Sequence, residues 1–282
     1  MAGTGLPTRG RGTGGGRVPL RALPWVETES ASFSARHEAT DSASAADTLA
    51  GLEEYRSQLE PRFETIPTDV AVVIHPHPAA LALAHPWLPA ARLLAAPAAR
   101  RYMAGWFAQG EIHVLTPEAL AARASRVGGS REALLRTPEH EYTHLVIAAN
   151  NHALPPPFGV ASFARYVRWA WLCEGAAVHF SGQGRHLRAA VARRLRDGAR
   201  PAFPPGARDA TLLGGTIFAL LEGGAGPRAC VELATRLDPA GPQHAIERAF
   251  ERPLAEVERD WRRYLDDFRG SGQAFSARSG RR

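Results

Sequence analysis

The apolar positions in the first half of the chain follow two periods, which predict helices alternating with strands. One group recurs at near-helical spacing and consists of Leu49, Leu52, Tyr55 and Leu59. The β-branched run over residues 70–74 predicts a buried strand, which ends where prolines follow it. Residues 79–84 predict another helix, and residues 103–115 predict two short strands around the turn-like pair Gln109 and Gly110. This half therefore predicts a small mixed sheet.

The second half of the chain carries apolar stripes at helical spacing. Thr137 is predicted to cap a helix whose first position is Pro138 and which runs through Ile147. Two more helices are predicted from stripes made of Leu187, Val191 and Leu195 and of Leu254, Val257, Trp261, Leu265 and Phe268. A first half with a sheet and a mainly helical second half together predict an α+β fold.

Composition divides the chain into one domain and two tails. Residues 1–22 are rich in Gly and Arg and have no apolar periodicity, so we expect them to be a disordered tail. We expect the same of residues 270–282. The segment between them, residues 23–269, has a size that one compact domain accommodates, and the 45% apolar content of the chain is sufficient for a substantial core.

Cysteine content and hydropathy predict a cytoplasmic protein without a membrane span. Only Cys173 and Cys230 are present, so the sequence has no disulfide framework. Arginines interrupt residues 10–24, where an export signal would need an unbroken apolar segment. The longest apolar stretch, residues 212–221, is about half as long as a membrane-spanning helix.

The basic charge of the chain raises the hypothesis of a nucleic-acid-binding protein. The formal net charge is +6, and all 34 basic residues are arginine. The arginines are spread among many Ala, Gly and Pro residues, as a GC-rich genome would produce, and no zinc-finger or aromatic RNA-binding motif accompanies them. We therefore expect no nucleic-acid partner and keep this hypothesis as a rival.

One segment has the form His-Glu-x-x-His, which is typical of zinc-dependent hydrolases. It contains His140, Glu141 and His144 and falls within the helix predicted to begin near Thr137. Side chains four residues apart lie on the same face of a helix, so both imidazoles can bind one metal ion. Glu141 projects beside them, where its carboxylate can act as general base on a water molecule.

A third ligand is expected downstream, because catalytic zinc usually has three protein ligands and an open fourth position. Glu174 is the best candidate, since it interrupts an apolar segment, residues 167–180, that has few other charges. A carboxylate on a buried face needs a partner, and a divalent cation would be one. The sequence therefore predicts a zinc site formed by His140, His144 and Glu174.

With this third ligand the sequence resembles the gluzincin metallopeptidases, and it is most similar to the peptidase MA-like family. Glu174 stands in the pattern Trp-Leu-x-Glu-Gly-x-Ala over residues 171–177. Residues 104–107 with 112–115 are similar to the family's strand hairpin, and residues 249–264 resemble its closing helical segment.

This resemblance covers about residues 25–268 and implies a zincin-like fold in which a small mixed sheet precedes the active-site helix. It implies that zinc is the cofactor and that the ligands are His140, His144 and Glu174. It also implies that Glu141 is the general base in the hydrolysis of peptide bonds, and that the partner is a peptide or protein substrate.

The peptidase hypothesis has two rivals. Residues 211–221 lack the tyrosines that family members often carry in a later helix, and this motivates an inactive zincin-like module that binds a peptide or protein. The nucleic-acid-binding protein is the other rival. In the peptidase hypothesis, the strand that ends near Leu115 is the edge with which an extended substrate would pair.

Several further residues have suitable chemistry but no motif that fixes a role. His179 is either a contact near the metal or a packed histidine, and the packed alternative is favoured. His75 and His77 have no carboxylate close by in sequence, which favours a loop pair over a second metal site. Tyr166 is a weaker candidate for a contact near the metal.

Overall fold

The computed structural model of the protein describes residues 25–84, 104–155 and 159–279. The predicted N-terminal tail, residues 1–22, lies outside this part of the chain. The strands are β1 Trp25–Glu29, β2 Phe33–Glu38, β3 Val70–His75, β4 Gly105–Ala108 and β5 Glu111–Leu115. The helices are α1 Ser42–Leu59, α2 Pro78–Leu83, α3 Pro117–Ala122, α4 Ser130–Leu135, α5 Thr137–Asn150, α6 Val160–Arg168, α7 Ala170–Phe180, α8 Arg188–Asp197, α9 Ala210–Ala225, α10 Pro227–Thr235, α11 Pro242–Phe250 and α12 Leu254–Ser279.

The described strands form one mixed sheet in the order β1-β2-β3-β5-β4. The outer strands β1 and β4 pair antiparallel with their neighbours, whereas β2, β3 and β5 are parallel. The mixed sheet predicted for the first half is therefore confirmed. The predicted edge is wrong, because β5, which ends at Leu115, lies between β3 and β4. The register pairs Ile112 with Val72 on one side and with Phe107 on the other, so β4 forms the edge among the described strands.

One face of the sheet packs against helices and forms the main core. Val70, Val72 and Ile74 alternate along β3 and are buried on this face. Helix α1 packs against β2 and joins this core with a buried stripe that includes Leu49, Leu52, Tyr55 and Leu59. Tyr142 of α5 joins the same core, and its ring meets Phe33 edge-on with centroids 5.0 Å apart. Because a fully buried apolar side chain contributes about 1.5–3 kcal/mol, this packing holds α5 firmly against the sheet.

The two helices α7 and α9 cross with their backbones in contact. A methyl group at Gly214 would lie 2.4 Å from the carbonyl oxygen of Trp171, and one at Gly175 would lie 2.5 Å from the carbonyl carbon of Gly214. Both distances are far shorter than any real contact of a Cβ atom. Glycine at these two positions therefore sets how closely α9 approaches the helix that carries Glu174.

The helices predicted from apolar stripes are present as α1, α8 and α12. The predicted cap of α5 is wrong, because Thr137 is the first residue of this helix and not the residue before it. Helix α4 ends at Leu135, so only Arg136 separates the two helices. The Thr137 hydroxyl donates back to the carbonyl of Leu134 at 2.6 Å and thereby joins α4 to α5.

The described part of the chain ends with the long helix α12. This helix continues to Ser279 and so includes residues 270–279 of the segment predicted as a second tail. In the described part of the chain, every helix is too short or too polar to cross a membrane. A mixed sheet in the first half and a mainly helical second half make the architecture α+β, as the sequence predicts.

Candidate metal centre

Helix α5 places the two histidines of the His-Glu-x-x-His segment on one face. The rings of His140 and His144 meet edge-on with centroids 4.9 Å apart, and their Nε2 atoms are 3.2 Å apart. Both residues are buried, with exposed fractions of 7% and 4%. The helical spacing therefore brings two ring nitrogens to one point inside the protein.

Glu174 reaches the same point from α7. Its Oε2 lies 3.6 Å from Nε2 of His140, and its Oε1 lies 3.6 Å from Nε2 of His144. Ligand atoms of the three residues lie within 4.8 Å of one another, and among the described residues no other such group of three His, Cys, Asp or Glu side chains occurs. The three predicted ligands are thus brought together, and we refer to them as the triad.

The dimensions of the triad fit a zinc ion. Imidazole nitrogens and carboxylate oxygens bind zinc at about 2.0–2.2 Å in a tetrahedral arrangement, so two ligand atoms are about 3.3–3.6 Å apart. The distances of 3.2 Å and 3.6 Å in the triad are close to this range. Two imidazoles and one carboxylate are also a common donor set of catalytic zinc sites. The residues present therefore fit the metal that the sequence predicts.

Three further elements orient the side chains of the triad. Phe107 of β4 stacks on His144, with centroids 4.2 Å apart and ring planes at 18°. Thr211 of α9 donates a hydrogen bond to Oε2 of Glu174 at 2.7 Å. Tyr166 of α6 donates to Oε1 of the same carboxylate. Hydrogen bonds from two helices therefore hold both oxygens of Glu174.

No protein-family model and no curated protein matches this chain. The resemblance to the gluzincins therefore stays a prediction.

Glu141 lies inside the protein beside the triad, and its exposed fraction is 6%. Gly105 of β4 faces it so closely that a methyl group there would lie 2.7 Å from Cγ of Glu141 and 2.8 Å from Cγ2 of Thr137. Glycine at this position leaves room for the carboxyl group. Burial raises the pKa of Glu141 to about 8, with His140 opposing the shift and the charge of Glu174 adding to it. A cation at the triad would favour the ionised form of this carboxyl.

Burial and mutual charge set the protonation of the triad. Burial lowers the pKa of His144 to about 3, so this imidazole is neutral, the form that binds metals. Burial also acts to lower the pKa of His140, but the hydrogen bond and charge of Glu174 outweigh it and raise that pKa. Burial alone would raise the pKa of Glu174, yet its contacts with the histidines and with Tyr166 hold it well below the usual range. Metal binding therefore competes with protonation of His140.

Two other histidines considered from the sequence lie in different surroundings. His179 packs against Phe218, with ring centroids 5.6 Å apart, and its Nε2 lies 3.9 Å from a carboxylate oxygen of Glu222. This agrees with the packed alternative for His179. His75 shares a buried hydrogen bond of 2.9 Å with His113 on the neighbouring strand, so it belongs to the sheet and not to the triad.

The sequence pattern missed or gave little weight to three residues at the site. Tyr166 and Thr211 contact Glu174, and the amide of Gln183 lies 2.8 Å from Nδ1 of His140. A weak signal existed for Tyr166, which is the only tyrosine between His144 and Glu174. Thr211 and Gln183 are ordinary polar residues in the sequence, and only tertiary packing distinguishes them.

Proposed function

We propose that the protein is a zinc-dependent hydrolase with a zincin-like fold that cleaves peptide bonds. The observation that supports this function is the convergence of His140, His144 and Glu174 beside the buried carboxyl group of Glu141. Structural zinc sites usually have four protein ligands, whereas catalytic sites have three and leave one position open. The described residues offer three ligands and a separate acidic group, which is the arrangement that hydrolysis needs.

Zinc suits this donor set better than calcium or magnesium, which prefer oxygen ligands. A bound zinc ion supplies Lewis acidity, which polarises a carbonyl group and makes a water molecule more acidic. Glu141 accepts the proton of the attacking water and passes it to the leaving amine. Gly105 leaves the space that this buried carboxyl group occupies, so the base is already beside the triad when substrate arrives.

Tyr166 supplies a hydrogen-bond donor at the same site. Burial, and after it the nearby charge of Glu174, raises the pKa of Tyr166 well above its ordinary value, so the hydroxyl stays protonated in neutral solution. The carbonyl oxygen of a peptide bond gains negative charge during hydrolysis, and a donor placed there lowers the barrier. We assign this role to Tyr166, in place of the tyrosines that residues 211–221 lack. Its single hydrogen is donated to Glu174 in this structure, and it would turn to the substrate oxygen when that carboxylate binds the metal.

The substrate is expected to lie along β4, the edge strand next to the triad. This strand carries Phe107, which stacks on His144, and Gly105, which faces Glu141. An extended peptide that pairs with β4 would therefore pass beside the triad. Main-chain hydrogen bonds from an edge strand hold a peptide irrespective of its sequence.

The wild-type chain tests this function directly. We expect about one zinc per chain, together with cleavage of an unfolded protein substrate that a chelator stops and added zinc restores. Zinc binding without cleavage of any member of a broad peptide library would favour the inactive module instead. A chain that stays metal-free after zinc is supplied would overturn the proposal.

Replacing Tyr166 with phenylalanine should slow hydrolysis and retain the metal. Loss of one donor to the developing charge lowers kcat by about 100-fold to 1,000-fold in comparable sites. Zinc affinity should fall far less than it would on loss of a ligand, because Tyr166 contacts the triad residue Glu174 and is not itself a member of the triad. Tyr264→Phe in α12 is the matched control, and both variants are measured for kcat and for zinc affinity. An unchanged kcat in Tyr166→Phe would assign the donor to another residue.

A further inference from the structure

Gln183 connects a metal-binding histidine to the main chain of a neighbouring helix. It begins the 3-10 turn Gln183–His186, which follows α7, and its exposed fraction is 8%. Its Oε1 lies 2.8 Å from Nδ1 of His140, and its Nε2 lies 2.8 Å from the carbonyl oxygen of Ala133 in α4. Both contacts are buried, so water does not compete for either of them.

These two contacts determine which way the amide group faces. A carbonyl oxygen only accepts hydrogen bonds, so the group that meets Ala133 must be the NH2 group of Gln183. The amide oxygen therefore meets His140. Because this oxygen also only accepts, Nδ1 of His140 must carry a hydrogen.

We propose that Gln183 is a positioning residue that keeps His140 in the tautomer that binds metal through Nε2, an inference that rests on the proposed zinc site. With a hydrogen on Nδ1, the neutral imidazole has its lone pair on Nε2. That atom lies 3.2 Å from Nε2 of His144 and 3.6 Å from Oε2 of Glu174. In the opposite tautomer, Nδ1 would have no hydrogen to donate to the amide oxygen. The hydrogen would instead be on Nε2, at the position of the metal.

The bond to Ala133 is what gives Gln183 this selectivity. An amide that was free to turn could present either its oxygen or its NH2 group to His140 and would accept both tautomers. The fixed carbonyl of α4 removes that choice. The tautomer of a ligand on α5 is therefore set by a main-chain atom of α4, and Gln183 transmits the constraint.

Zinc affinity is the first test. Gln183→Met keeps the size of the side chain and removes both hydrogen bonds, and we expect the zinc Kd to rise by about 10-fold to 100-fold, as for other partners of metal ligands. Gln58→Met, the same change at an exposed position of α1, should leave the Kd unchanged. The Kd is measured by competition with a chelator, and the metal-free proteins are compared by melting temperature. Wild-type affinity in a folded Gln183→Met variant would overturn the inference.

The tautomer itself is the second test, and it does not depend on a variant that folds. Histidine ¹⁵N–¹H spectra of the metal-free wild-type protein are recorded at about pH 10, well above the ordinary histidine pKa of about 6.5. A hydrogen on Nδ1 of His140 supports the inference, and a hydrogen on Nε2 overturns it. A wild-type chain that binds no zinc would overturn the proposed function, whereas this spectrum would still show which tautomer of His140 Gln183 holds.

Discussion

Replacing Glu141 with glutamine should remove most peptide hydrolysis and leave zinc in the protein. Glutamine has nearly the same size, so it fits beside Gly105, but its amide cannot accept the proton of the attacking water. We expect kcat to fall by about 100-fold to 10,000-fold, the range attributed to general acid-base catalysis. The variant is compared with wild type for cleavage of an unfolded protein, for zinc content and for melting temperature.

Glu139→Gln is the matched control for this prediction. It makes the same change two residues earlier on α5, where the carboxylate lies 3.6 Å from the guanidinium of Arg136 and not at the triad. This variant should hydrolyse the protein substrate at close to the wild-type rate. Full activity in Glu141→Gln would place the general base elsewhere, and an equal loss in both variants would show that α5 itself is disturbed.

The second large effect is the loss of zinc from a His144→Ala variant. The substitution removes one of three ligands and also the ring that stacks on Phe107 at 4.2 Å. Two remaining ligands hold zinc weakly, so the affinity should fall beyond the roughly 10-fold to 100-fold loss that follows removal of an outer partner. Hydrolysis should decrease in parallel with the metal content, which elemental analysis and chelator competition measure.

His179→Ala separates loss of a ligand from loss of a packed imidazole. His179 is partly buried and packs against Phe218, but it lies outside the triad. This variant should therefore keep its zinc even if its melting temperature falls. Zinc retained at wild-type affinity by His144→Ala would contradict the proposed ligand set.

The parts of the site that could be predicted are those with a local signal. The histidines converge because they are one helical turn apart, and this spacing is visible in the sequence. Glu174 carries a different signal, a charge within an apolar segment. Thr211 and Gln183 come within 2.7 Å and 2.8 Å of a triad side chain only after α9 and the 3-10 turn have packed. Their roles depend on tertiary contacts, so no local sequence pattern predicts them.

The sheet likewise has parts with a local sequence signal and parts without one. Strands β3 and β5 are apolar runs buried within it, and such runs are visible in the sequence. Strand β1 alternates between half-buried and exposed positions, with polar Glu27 and Thr28 at its centre, so its sequence does not predict a strand. Its partner β2 is not predicted either. Strand order is not local either. A hairpin can place either of its strands beside β3, and the sequence around Gly110 does not say which one lies outside.

The close contact between Gly175 and Gly214 determines how far a side chain on α9 must reach to bond with Glu174. Thr211 lies nearly one turn before Gly214, and its hydroxyl is only one carbon away from the main chain. It reaches Glu174 at 2.7 Å because α7 and α9 touch backbone to backbone. The axes of packed helices lie about 8–10 Å apart depending on the side chains at the crossing, and at the larger separations a short side chain would not reach. The size of residue 214 and the length of side chain 211 are therefore coupled. A larger residue at position 214 would require a longer side chain at position 211 to keep this hydrogen bond.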